Sequence, residues 1–383
     1  MSEITQAVRA VCTEVPLRAI VVGDIHLYNP RTPTARTISS LDREIVNAKV
    51  FSSIELLVIN GDLLDRLITP DRPESNMFLS WATRLIALAS KHNVCLRVLY
   101  GTPSHDNHQS KVIAYLAQEM NDRYPCDVKY IAELSIERIE RFQIDVLWVP
   151  DRWRNHVSQT LEETHDLLKS RGIEQVDYAF MHGSFAYQLP SAAPDHVKHN
   201  EQSYLKLVKR EIYISHVHKA SQHERIYAPG SFDRDRQGET EPKGFIHFER
   251  SQGFSIITFM VNHDAKVYDR LDVSALSVED GLKKLHRKVL DLPEGSQLEI
   301  ICQKGSAMKE LLETIRGKYV QHEFEMSFLE GEEAQKVKEK KAEYRPVVIT
   351  KQTLPDLILM KMTQNGVDRD VKSLAMELLS EVL

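Results

Sequence analysis

Short β-type apolar runs recur along the first two-thirds of the chain, each divided from the next by a helical pattern. No other feature constrains the fold as strongly. Leu17 to Val22, Glu55 to Asn60, Val94 to Tyr100, Phe142 to Val149, Val176 to Met181 and Glu211 to Ser215 read as buried strands. Glu74 to Ser90, Ser110 to Glu119, Ser158 to Arg171 and Glu201 to Lys209 read as the helices between them. Buried strands separated by amphipathic segments make βα units, so the sequence predicts an α/β core built in layers. Gly244 to Arg250 and Phe254 to Val261 add two strands that close this region.

The texture changes after Asp269. Val278 to Leu290 reads as a helix, Gln297 to Gln303 as a strand and Ser306 to Ile315 as a second helix, with Pro293-Glu294-Gly295 as a turn. The resulting division is a first domain over 1–265, a small α+β domain over 266–328, a charged linker over 329–345 and a helical tail over 346–383. In the tail, Val367, Val371, Leu374 and Leu378 recur at helical spacing. Such a face either folds back on its own domain or docks on a partner, and the partner reading is preferred because helix-in-groove docking uses such anchors. Along the helix after Asn60, Met77, Trp81, Leu85 and Leu88 form a wide stripe with Phe78, Ala82 and Ala89 beside it, and a homodimer is expected from it.

Composition excludes several classes. With 42% hydrophobic residues in 383, the chain is neither a disordered tail nor a minimal disulfide scaffold. No apolar run reaches the roughly 20 residues that cross a bilayer, and the first ten residues lack a signal-peptide layout. Four cysteines far apart, with no CxxC pair, read as free thiols of a cytoplasmic protein. A net charge of −6 does not support a wholly basic nucleic-acid coat.

Polar residues cluster where the strands end. Asp24-Ile25-His26 follows the first strand, Gly61-Asp62-Leu63-Leu64-Asp65 the second, and Gly101 to His108 the third. His182 follows the fifth and His216-Val217-His218 the sixth. Ligands of open α/β sheets bind beyond the carboxyl ends of strands, so these side chains are expected to converge. Residues i and i+2 of an extended segment point the same way, which lets Asp-x-His and His-x-His each reach one ion. Imidazole with carboxylate suits manganese, iron or zinc better than calcium. A carboxylate such as Asp62 can bridge two ions roughly 3.5–4 Å apart.

This ordered set resembles the calcineurin-like metallophosphoesterases, whose signature is Asp-x-His, Gly-Asp-x-x-Asp, Gly-Asn-His-Asp, a lone His and Gly-His-x-His. Over residues 18 to 250 the counterparts are Asp24 and His26, Gly61, Asp62 and Asp65, Ser104, His105 and Asp106, His182, then His216 and His218. The resemblance implies a four-layer α/β/β/α sandwich with a small α+β cap and a helical tail. It also implies two divalent metal ions, with manganese favoured over magnesium. Asp24, His26, Asp62 and His218 would hold one ion, and Asp62, Ser104, His182 and His216 the other. His105 would stabilise the transition state or protonate the leaving oxygen, with Asp106 orienting it.

The chain departs from that signature at two places. Ser104 stands where the family has asparagine, and Thr102-Pro103 separates it from Gly101; Ser215 replaces the glycine before His216. Pro103 favours an extended Thr102. His108 has no counterpart; it can replace the missing amide ligand, contact phosphate or do nothing. The segment Tyr227 to Ser231, followed by Arg234, Arg236, Glu239 and Pro242 to Phe245, resembles SbcD-type double-strand-break repair nuclease subunits. That resemblance implies a DNA nuclease partnered through its tail by an SMC-like coiled-coil ATPase. Two rivals stay open: a small-molecule phosphodiesterase or phosphatase, and a catalytically inactive scaffold.

Overall fold

In a computed structural model, the structure describes residues 15–251, 253–329, 354–364 and 371–376. The protein is of the α/β class. Its strands in chain order begin with β1 (Leu17–Val22), β2 (Leu56–Asn60), β3 (Cys95–Leu99), β4 (Val128–Ile131), β5 (Ser135–Ile139), β6 (Ile144–Val149) and β7 (Tyr178–His182). The short β8 (Ser184–Phe185) and β9 (Lys198–His199) pair with each other. Then come β10 (Ile212–Ser215), β11 (Ser221–His223), β12 (Ile226–Ala228), β13 (Gly244–Ser251) and β14 (Phe254–Val261). The helices among them are α1 (Thr34–Glu44), α2 (Ala48–Phe51), α3 (Pro73–His92), α4 (Pro103–Asp106), α5 (Val112–Glu119), α6 (Val157–Arg171) and α7 (Glu201–Leu207).

Two six-stranded sheets result, ordered β14-β13-β1-β2-β3-β4 and β11-β12-β10-β7-β6-β5. β1 to β4 run parallel, as do β6, β7 and β10. Alternation along each strand explains the cores, because successive side chains point to opposite faces. Ala19 and Val21 of β1 join Val146, Trp148, Tyr178, Phe180 and Tyr213 of the second sheet in one cluster. Ile20 and Val22 face the other way, into a cluster with Leu41, Trp81, Leu85 and Ile113 of the helices. Leu147, Ala179, Met181 and Ile214 of the second sheet meet Leu168, Tyr204 and Leu205 in a third.

Helix ends follow ordinary chemistry. Pro73 opens α3, where its missing N–H has no helical partner to lose, and Asn93 closes it with a left-handed φ of 55°. The α3 stripe behind the homodimer expectation is core: Phe78, Trp81, Ala82, Leu85 and Ala89 are buried, and Leu88 packs against the same cluster. Of that set only Met77 is exposed, so the width of the stripe reflects packing under the first sheet and gives no support to pairing.

Contacts divide the chain into two compact units. One holds the described residues up to Leu271 with His286–Glu299 and Thr314–Glu325. The other holds Asp272–Leu285, Ile300–Glu313 and the described residues from Met326 onward. Segments of the expected cap thus fall in both. Within the first unit, the buried Lys266 ammonium donates to the Arg31 carbonyl and to Glu323, and Arg36 donates to the carbonyls of Asp264 and Glu294. In the second, Gly281 lies against Val273 and Met308.

Among the late elements, the helix Val278–Leu290 and the strand Gln297–Gln303 match the sequence reading. The expected helix over Ser306 to Ile315 is instead a 3-10 turn at Ala307–Lys309 followed by a helix at Leu312–Lys318. The Ser306 hydroxyl accepts from the Met308 N–H and caps that tight turn, which separates the two pieces. Two strands absent from the sequence reading, Tyr268–Asp272 and Glu323–Leu329, flank Gln297–Gln303 in a three-stranded sheet.

The charged linker lies outside the described residues apart from Leu329, as do Val367 and Leu378 of the tail. Leu354–Gln364 is helical, and so is 371–376, where Val371 and Leu374 are exposed. Among the described residues, no helix is long and apolar enough to cross a membrane.

Candidate metal centre

The cluster residues read from the strand ends arrive at one place, and of the third loop His105 joins them while Ser104 does not. The turn after β1 carries Asp24 and His26, the turn after β2 carries Asp62, β7 ends on His182, and His216 and His218 follow β10. Backbone bonds lock the first two turns together: Ile25 and His26 both donate to the Asp62 carbonyl, at 2.9 and 3.0 Å. Asn60 ties the sheets to each other. Its amide donates to the Met181 carbonyl at 3.0 Å, and its carbonyl lies 2.9 Å from His182 Nδ1.

The backbone here is strained. Asp24, His26, Asp62 and His216 have φ of 49°, 53°, 46° and 118°, a region that costs a residue with a side chain about 1–3 kcal/mol. Two glycines allow the closeness. A Cβ on Gly61, itself at φ 88°, would strike the His182 ring, and one on Gly101 would strike the Asp62 backbone and carboxylate.

A hydrogen bond assigns the tautomer of His182. His182 Nδ1 faces a carbonyl, which only accepts, so Nδ1 carries the proton and Nε2 offers its lone pair in the neutral ring. That Nε2 is buried without a hydrogen-bond partner, 3.2 Å from Asp62 Oδ2 and 3.9 Å from Asp24 Oδ1. His26 Nδ1 faces Asp65 at 3.3 Å and His218 Nδ1 faces Asp235 at 2.8 Å. Those carboxylates lie near each Nδ1 without a hydrogen bond to it, and the two Nε2 atoms lie 3.0 Å apart, within hydrogen-bond reach of each other. Two lone pairs at that distance repel unless a proton or a cation stands between them. Carboxylate behind imidazole is the usual outer support of a metal-bound histidine. Asp24 Oδ2 accepts from the His216 N–H at 2.9 Å, leaving Oδ1 buried and unbonded. These donors fit a metal ion, and the groups Asp24–His26–His218 and Asp62–His182–His216 are each close enough to hold one.

Electrostatics at the cluster pull both ways, since a metal would have to displace the proton that the carboxylates favour on His182. Burial pushes the Asp24 carboxyl up against the pull of His182 and His218, and an adjacent cation would favour its ionised form. Burial also opposes charge on His182, but Asp62 and Asp24 outweigh it and push that imidazole up to about 10. Burial and the neighbouring His182 lower His216 to about 4, which keeps its ring neutral. Asp62 stays well below the usual carboxylate range: burial works against ionisation, and His182 with the His105 hydrogen bond overcomes it.

The third loop departs from the sequence reading. Ser104 is exposed on α4, and Thr102 takes the inner place. The Thr102 N–H donates to Asp62 Oδ1 at 2.5 Å and its hydroxyl to Oδ2 at 2.9 Å, with His216 Nδ1 at 3.3 Å from that hydroxyl. The cause is Pro103, which holds Thr102 extended at φ −64°, ψ 124° and starts α4 one residue later. His105 Nδ1 lies 2.9 Å from Asp62 Oδ2, so its observed orienting carboxylate is Asp62; the Asp106 side chain lies outside the described residues. His108 stacks on Tyr100 with ring centres 4.1 Å apart, and its Nδ1 is 2.9 Å from the Tyr130 hydroxyl.

Sequence reasoning gave no site role to Asn60, Thr102, Asp235 and Glu239, although Thr102 and Glu239 lie in segments it singled out. Asp235 and Glu239 group with His218, but Glu239 is already paired with the buried Lys243 at 2.9 Å and with Arg236. They serve as the acidic backing of His218. Replacing Asp235 with alanine is therefore expected to weaken metal affinity by about 10–100-fold, the usual loss for such a partner. Calorimetric titration with manganese checks this, and an unchanged affinity would show that His218 needs no backing.

No protein-family model matches the chain, and no curated protein matches it. Among solved structures, one crystal structure is similar over 64% of this chain and 100% of its own, with 10% identity and a TM-score of 0.38. A likeness of that size carries no argument about fold or function.

Proposed function

We propose that this chain is a metallophosphoesterase that hydrolyses phosphodiester bonds of DNA, of the SbcD-type nuclease kind its motifs resemble. The observation that carries the reading is the pair of inward histidine nitrogens, each backed by a carboxylate, beside the buried Asp24 and Asp62. The three core clusters, one between the sheets and one beneath the helices on each side, support the four-layer α/β/β/α form of that family. In this reading Asp24, His26, Asp62 and His218 hold one ion and Asp62, His182 and His216 the other, with Thr102 in place of Ser104. Manganese suits such an oxygen and nitrogen donor set.

Divalent ions held there would supply Lewis acidity toward the phosphodiester and lower the pKa of a water. The chain's own residues do the rest. Thr102 fixes both Asp62 oxygens, and Asn60 fixes the His182 tautomer. His105 is 32% exposed at its side chain, and its pKa is raised, chiefly by the Asp62 hydrogen bond, a shift toward the protonated form that donation to a leaving oxygen requires. Exposed Val371 and Leu374 support the accompanying proposal that the tail docks on an SMC-like ATPase.

The test is turnover by the purified chain with manganese on double-stranded DNA, single-stranded DNA and a small chromogenic diester. Cleavage of DNA supports the reading. Cleavage of the small diester alone favours the small-molecule enzyme, and no cleavage at all favours the inactive scaffold.

A further inference from the structure

β6 ends at Val149, and the chain then turns through Pro150, Asp151 and Arg152 toward α6. Arg152 sits at φ 45°, the left-handed region that glycine enters freely and a long side chain avoids. Burial does not compensate the strain, because its side chain is 68% exposed. Its ion-pair partner is the buried Asp151, at 3.6 Å from Nε. The strained backbone therefore holds a guanidinium out in the open.

What it overlooks is specific. Arg152 lines a groove of about 700 Å³ that also has Gly183 and the candidate ligand His216 in its wall. Its size is that of a ligand site. The first turn of the 15-residue α6 forms another part of the wall, through His156, Val157 and Thr160. Its N-cap, His156, makes no side-chain bond to the first turn; its carbonyl takes the Gln159 N–H at 3.1 Å, which leaves the N–H groups of Val157 and Ser158 for an anion. The other arginine of the groove is committed elsewhere: Arg154 lies 2.5 Å from Glu163 and 4.6 Å over the Trp153 ring.

We propose that Arg152 and the first turn of α6 hold a phosphate of a polynucleotide, next to the phosphate at the metal centre. The substrate is then a nucleotide strand that continues along this groove past His216, and a lone small diester leaves the groove empty. This rests on the phosphodiesterase reading for the cleavage step, while the anion site itself can be measured without any metal.

The experiment uses the full chain, a fluorescent single-stranded DNA oligonucleotide and the variants Arg152→Gly and Arg152→Lys. Glycine removes the guanidinium and relaxes the backbone, so its melting temperature is expected to equal or exceed that of the parent. Anisotropy in EDTA is expected to show about tenfold weaker binding for Arg152→Gly, the size of a lost charged hydrogen bond. The slope of log affinity against log salt is expected to shrink by about 0.7, one phosphate contact on a single strand. Lysine is expected to recover part of both. With manganese, the loss is expected in KM, with kcat within about threefold. Lys169→Ala, an exposed charge on the far end of α6, controls for bulk electrostatics. Binding by Arg152→Gly at parental affinity and salt slope, or a loss confined to kcat, overturns the proposal. Arg152-dependent binding without cleavage of any diester upholds the anion site and overturns the phosphodiesterase reading instead.

Discussion

Asparagine in place of Asp62 is expected to bring metal-dependent hydrolysis down by well over a hundredfold in a protein that still folds. Loss of a mere outer partner of a metal ligand takes about 10–100-fold, and Asp62 itself stands among the candidate ligands, grouped with His182 and His216 and also with His26 and His105. Its oxygens face Thr102, His105 and His182 at 2.5 to 3.2 Å, so the substitution removes one negative charge from the middle of three imidazoles counting His26. Asparagine keeps the shape and can still accept from the Thr102 N–H. Circular dichroism is therefore expected to match the parent, while manganese bound per chain falls. Parental turnover by the folded variant would sink the shared-ligand arrangement.

The contrast between Asp62 and Ser104 shows what the sequence can and cannot reveal about this site. Asp24, His26, Asp62, His182, His216 and His218 were legible because each follows directly on a buried apolar run, and a strand end fixes where the next residue goes. Ser104 was misread because three residues of irregular loop lie between it and the end of β3, and alignment of a motif does not fix a loop path. The proline that alters the path was visible; that it would bring Thr102 inward was not. Asp235 lies in the long connection between β12 and β13, where no periodicity locates a side chain. Asn60 looked like the last residue of a strand, and its cross-sheet bond depends on the packing of two sheets whose sequences lie 121 residues apart.

For the fold, most buried strands and the helices α3, α5, α6 and α7 were legible from periodicity, with ends off by one or two residues, whereas α1, β4 and β5 were not read. β8, β9, β11 and β12, of two or three residues each, are too short to show a period. The α3 stripe was correctly seen as apolar, yet apolar width does not say whether a helix meets its own sheet or a second chain.

Alanine at His105 is expected to lower turnover by about 10²–10⁴-fold, the range for a lost general acid or base, while both metal sites stay filled. The argument is geometric. His105 touches Asp62 through Nδ1, so the ring is anchored at one nitrogen and leaves Nε2 for substrate, and its side chain is 32% exposed where His26 and His182 are nearly sealed. Elemental analysis beside single-turnover kinetics separates the outcomes. If the variant loses an ion, His105 is a ligand, in keeping with its grouping with His26 and Asp62. If it loses only rate, the proton-transfer role stands.

The two facing ring nitrogens of His26 and His218 come from positions 192 residues apart in the chain. A contact of such high sequence separation forms late, because the intervening chain must be ordered before it can close. During synthesis the first half of the site, Asp24 and His26 with Asp62, emerges long before its counterpart, with three unbalanced groups exposed at the edge of an unfinished sheet. An ion can be gripped from both sides only after β10 has been laid beside β7 and the segment carrying Asp235 has followed. Metal uptake at this cluster would thus report that both sheets are in place, and a protein arrested before that point would be both unfolded and unable to hold an ion.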